Sequence, residues 1–170
     1  MPVTPLTFEE NVVVLFVPAD EQGWGIADPT APKTAELTDT DVVDLSSYLQ
    51  KNGGITVPSQ RNAVDTSSID RRHNSEAPGS EGGPLELVVK RQNRDGDTAG
   101  FDLFAGGNVS GDVVIGYDGS ATEADDVVDV FRGTASRPVR NSPSGDEEQR
   151  LGVTFRVDSE YQAVDVASAT

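Results

Sequence analysis

Few residues in this chain have the chemical means to act. The single histidine, His73, directly follows Arg71 and Arg72. Cationic neighbours disfavour both its protonation and the approach of a metal ion, so a solvated loop residue is the simpler reading. Asn93-Arg-Asp95-Gly-Asp97 begins like a calcium loop. However, Thr98 stands where that loop needs glycine and Phe104 where it needs glutamate, so a turn accounts for it better. Glu123, Asp125, Asp126 and Asp129 gather carboxylates suited to a divalent cation, but an acidic hairpin tip in water gives the same pattern. Trp24 and Tyr48 have the rings to stack a sugar or a base, and packing beneath a loop is the blander alternative.

Other chemistries are excluded by what is missing. The chain has no cysteine, which removes disulfides, thiolate zinc sites and cysteine nucleophiles. No G-x-S-x-G elbow, Walker loop or dinucleotide fingerprint is present. The sequon Asn108-Val-Ser110 matters only in a secreted protein, and Met1-Pro-Val-Thr-Pro5 lacks the basic and apolar regions of a signal peptide. The apolar run Val12–Val17 is too short to span a bilayer as a helix. The expectation is therefore a non-enzymatic protein without cofactor or metal, made in the cytoplasm and soluble. The net charge of −16 argues against binding to nucleic-acid phosphates or to an anionic membrane.

The elements that carry these residues read as short strands and long loops. A chain of 170 residues with 35% hydrophobic residues, 17 Gly and 10 Pro fits one β-rich domain better than a helical bundle. Asp112–Tyr117 and Asp126–Arg132 are β-branched and aromatic runs around the turn-rich segment 118–125, which predicts an antiparallel hairpin. Val113, Ile115 and Tyr117 share one side of it; Val128 and Val130 share a side from which Asp129 points away. One face is expected to enter a core. Asn11–Pro18, Leu85–Gln92, Leu151–Val157 and Tyr161–Val166 read as further strands, and Asp41–Leu49 as a short strand or turn. Thr34–Thr38 reads as one helical turn. Thr98–Phe104 reads as a short helix with Asp97 as N-cap. An N-terminal arm (1–10), a long polar loop (58–83) and an Arg- and Pro-bearing loop (133–148) complete the chain.

The stretch Trp24-Gly-Ile-Ala-Asp-Pro-Thr-Ala-Pro-Lys-Thr-Ala-Glu-Leu37, followed by Asp44-Leu-Ser-Ser-Tyr-Leu49, resembles the N-terminal part of major tail tube proteins of siphophages infecting actinobacteria. The order of the later segments is similar as well. The resemblance implies a mainly β fold, an antiparallel β-sandwich or barrel with one short flanking helix and long loops, similar to the type VI secretion tube protein. It implies a single tail tube domain over 1–170. It further implies six subunits per ring, rings stacked into a hollow tail assembled in the host cytoplasm, and passage of phage DNA through the lumen. Tape measure, tail-terminator and tail-tip proteins are the implied partners.

The acidic composition fits that picture. Duplex DNA carries one negative charge per about 1.7 Å of axis, and an acidic wall repels it over a Debye length of about 8 Å. Asp112 and Asp129 are the expected lumen-lining residues. Arg132, Arg137, Arg140, Arg71, Arg72 and Glu76 are the expected contacts between subunits or rings. The alternatives are another virion β-protein, such as a capsid decoration or tail-terminator subunit, and a stand-alone ligand-binding sandwich using Trp24 and Tyr48.

Overall fold

The computed structural model describes residues 12–21, 23–49, 54–57, 61–65, 76–81, 83–92, 95–141 and 149–168, with 61–65, 76–81 and 141 described by backbone alone. The first β-branched run forms strand β1 (Val13–Pro18). Helix α1 (Thr34–Leu37) and the two-residue strand β2 (Val43–Asp44) follow. Next come β3 (Ile55–Thr56), β4 (Arg61–Asp65), β5 (Glu76–Glu81) and β6 (Leu85–Lys90). After α2 (Ala99–Ala105) the chain builds β7 (Val109–Gly116), β8 (Val127–Ala135), β9 (Val139–Asn141) and β10 (Arg150–Asp165).

All pairings are antiparallel. One curled sheet, a half-barrel, runs β2-β1-β7-β8-β10-β6-β3, with β9 beside the start of β10; β4 and β5 form a separate pair. The expected antiparallel β architecture is thus present. The β7–β8 hairpin occupies the middle of the sheet, and its register sets Asp112 opposite Arg132 and Gly116 opposite Val128.

Both faces of this hairpin are covered. On the first face Phe16, Val113, Ile115, Phe131, Leu151 and Phe155 join α2 and Tyr48 in the larger core. Phe16 meets Phe104 edge-on at 5.4 Å and Phe155 at 6.4 Å between ring centroids, the geometry favoured by ring quadrupoles. On the second face Leu15, Val17, Val114, Val128 and Val130 lie under Ile26 and Leu37 of the segment between β1 and β2. The expectation that one hairpin face enters a core falls short of this, because alternation alone cannot announce a loop that folds back over the other face.

Other boundaries differ from the sequence reading. The polar stretch 58–83 contains the β4–β5 pair. The loop expected from Gly133 begins only after Ala135 and contributes β9. The two final strands are one long strand, interrupted by register shifts between Val157 and Ser159 and between Tyr161 and Val164. Such shifts bend a strand while keeping its pairing. Gly133 permits the first one: a Cβ there would lie 2.0 Å from the Arg156 carbonyl oxygen. The N-cap of α2 is Thr98, while Asp97 Oδ1 accepts the Ala99 N–H at 3.2 Å and its other oxygen takes the Tyr48 hydroxyl.

Candidate assembly surfaces

Segment 20–42 straps the second face, and its anchor is the Asp112–Arg132 pair. Arg132 Nε donates to Asp112 Oδ1 at 2.8 Å and Nη2 to Oδ2 at 3.1 Å, a forked ion pair. The same guanidinium donates to the Ile26 carbonyl, and the Ile26 N–H donates to Asp112 Oδ2 at 3.3 Å. Trp24 lies flat over the guanidinium, 4.8 Å from ring centroid to charge. Further along the strap, Glu36 reaches back to the N–H groups of Ala27 and Lys33 at 3.0 and 2.9 Å. The far end is tied down by Thr34 N–H on the Ala167 carbonyl and Ala167 N–H on that of Pro32.

This geometry revises two site expectations. Asp112 is 0% exposed, so it cannot line a lumen. A lone carboxylate on a strand reads as a solvent marker, but here a cation at the facing position neutralises it, which is the condition for burying a charge. Arg132 is likewise engaged inside the subunit, with its side chain 14% exposed. The signal was available: counting residues back from the hairpin tip sets 112 against 132.

Asp129 stands on the first face and is half-buried. It accepts the Tyr117 hydroxyl at 2.8 Å and the Ala163 N–H at 2.8 Å, holding the second irregularity of β10, where Ala163 has φ +49°. Burial and then the Asp129 hydrogen bond push the Tyr117 phenol well above its ordinary value. Burial likewise raises Tyr48, while its hydrogen bond to Asp97 lowers that carboxyl. Asp126 turns inward to the Ser120 hydroxyl (2.6 Å) and the Glu123 N–H (2.9 Å), so the acidic residues of the tip and Asp129 face different partners.

Arg137 and Arg140 are exposed at the opposite end of the hairpin. They flank a cleft of about 660 Å³ completed by Ala105, Gly106, Gly107, Asn108 and Pro138. Glu76 opens β5. Arg71, Arg72 and His73 lie outside the described residues, as do Asn93 and Arg94 of the calcium-like run. Trp24 and Tyr48 sit on opposite faces of the sheet, one over Arg132 and the other in the core against Gly100, so they do not form a shared platform.

A sheet edge is the feature that sequence reasoning missed. Beyond Phe155, β10 pairs with β8 on one side, and among the described residues its other side has no strand from Arg156 to Asp165. Only the long, bent course of β10 creates this edge, and the glycine and alanine at its irregularities do not announce it. Among the described residues the sheet is thus curled, covered over its second face by the strap, unpaired along one side of β10, and carries Arg137 and Arg140 beyond one hairpin end and exposed carboxylates at the other.

The sequence model of the phage tail tube protein family matches residues 1–170, and the chain belongs to that family. It is a structural protein of the phage tail, and its family assembles with itself into a tube. No curated protein matches the chain at a significant level.

Proposed function

We propose that six copies of this chain close into rings, that the rings stack into the tail tube of a siphophage, and that phage DNA passes through the bore during ejection. The single observation that carries the ring is that, among the described residues, β10 has a strand on only one side beyond Phe155. Unpaired strand edges are association sites, and a half-barrel with an open edge is completed by a strand of a neighbouring copy. The subunit works as one domain over 1–170, with the arm 1–10 and the segment 58–83, including Arg71, Arg72 and Glu76, reaching neighbouring copies. A tape measure protein fills the bore before ejection, tail-terminator and tail-tip proteins bound the tube, and assembly takes place in the host cytoplasm.

The bore wall in this reading is the acidic end of the first face, where Asp129 and Glu160 approach Tyr117. Asp165, exposed and opposite Val127, extends it. Carboxylates on that wall keep DNA phosphates from adhering during transit.

Electron microscopy of the purified protein over a concentration series, with a tail-tip extract as initiator, tests the assembly. Sixfold rings or uniform hollow tubes are expected; a protein that stays monomeric even with the initiator would overturn it. Glu160→Lys with Asp165→Lys tests the wall: tubes should form and DNA delivery should fall. Unchanged delivery would remove the acidic wall from the proposal.

A further inference from the structure

We infer that copies of this chain stack head to tail through one charge-complementary contact, in which the acidic hairpin tip of one copy enters the Arg137/Arg140 cleft of the next. This rests on the tube reading and names the surfaces that join successive rings.

The register of β7 and β8 fixes the polarity. Gly116 pairs with Val128 beside the tip, and Val109 pairs with Ala135 beside the cleft. Eight residues of antiparallel strand separate the two ends by about 27 Å. The tip segment 117–126 carries Asp118, Glu123, Asp125 and Asp126 and no lysine or arginine. Asp126 is spent on Ser120 and the Glu123 N–H, whereas Asp118, Glu123 and Asp125 are exposed. The described lining of the cleft carries Arg137 and Arg140 and no carboxylate. Neither arginine takes part in a salt bridge among the described residues. In a chain of net charge −16, two exposed cations facing one cleft stand against the general field of the molecule.

The cleft suits such a guest. Gly106 leaves open space at its wall, since a Cβ there would meet nothing within 4 Å. Its volume of about 660 Å³ admits a narrow turn. Within the tip, Gly119, at φ +83°, makes its turn without a side chain. The two surfaces differ and lie at opposite ends of one ladder. A contact between them is therefore heterologous and propagates along an axis instead of closing on itself.

The test reverses charge on each surface separately. One variant carries Arg137→Glu and Arg140→Glu, the other Asp118→Lys and Glu123→Lys; Asp125 is left alone because its φ of +69° makes it sensitive to replacement. All four positions are exposed, and circular dichroism with thermal melting verifies that each variant folds. Each variant alone should raise the critical concentration for tube growth at least roughly tenfold, with rings still forming, since several weak surface pairs act together around a ring. Mixing the two variants, or combining all four substitutions in one chain, should restore growth. Growth of either variant at the wild-type concentration, or absence of rescue, overturns the contact while leaving the tube reading intact. A wild-type pair that closes into a discrete dimer overturns the head-to-tail geometry. Wild-type protein that builds neither rings nor tubes removes the tube reading and this contact with it.

Discussion

Asp112 and Arg132 face each other across one rung of the β7–β8 ladder, and both grip the backbone of Ile26, one at its N–H and the other at its carbonyl. A pair that is internal to the hairpin thereby also fastens the strap. Its side chains are 0% and 14% exposed, so the interaction operates away from water and removal of one partner strands the other.

Asp112→Ala should cost about 3–5 kcal/mol, because it leaves a guanidinium unneutralised beneath the strap. Arg132→Met alone should cost a similar amount, and the double variant less than the sum of the two. Urea denaturation of the four proteins checks this through the coupling energy; additive losses would show that the pair does not act as a unit.

Glu36 accepts two backbone N–H groups of the strap from a half-buried position. Glu36→Ala should cost about 1 kcal/mol, the scale of a lost capping interaction. Hydrogen exchange localises the effect: the amides of Ala27 and Lys33 should exchange faster, while those of β7 should follow only the global change.

Tyr117 titrates above its ordinary value because burial and Asp129 hold the phenol neutral. A raised folded-state value contributes stability that is complete below the unfolded pKa of about 10 and is lost as pH rises beyond it. Stability should therefore fall as pH rises past about 10, and Tyr117→Phe should flatten that fall. Urea midpoints across the range, with the phenolate absorbance followed in parallel, give the comparison. On the acid side, the depressed Asp97 carboxyl contributes above about pH 4 and loses its contribution as pH drops, with Tyr48→Phe reducing that dependence.

Gly133→Ala would set its Cβ 2.0 Å from a backbone oxygen of β10. Backbone has no rotamer to escape into, so the strand must shift, at about 1–3 kcal/mol. Thermal unfolding measures the loss. Because the shift falls where β10 passes from β6 to its open edge, ring formation should weaken together with stability.

The strands were largely legible in the sequence: β6, β7, β8 and the first half of β10 lie in runs rich in apolar and β-branched residues or alternating with the period of the pleat, and β1 lies in a short, continuous apolar and β-branched run. Leu37 and Trp24 through Ile26 belong to a motif-like stretch whose meaning was not legible. Its Gly25, Ile26, Glu36 and Leu37 fit the strap to the sheet: a Cβ on Gly25 would lie 2.5 Å from Val17, and Ile26 and Leu37 are buried. The burial of Asp112 was legible only in part: the hairpin register sets it against Arg132, but the strap that covers the pair is a property of neither residue. Asp129 escaped for a related reason: a carboxylate that accepts a phenol and a backbone N–H looks, in sequence, like any solvated one.

The anchors of the strap join residues 86 and 106 positions apart in the chain. The receiving surface exists only once β7 and β8 have met, and β8 is synthesised long after segment 20–42. Closing such distant contacts late is slow compared with forming a local hairpin. The order of events therefore acts as a timer. A newly made chain carries an unanchored strap until its central hairpin is complete.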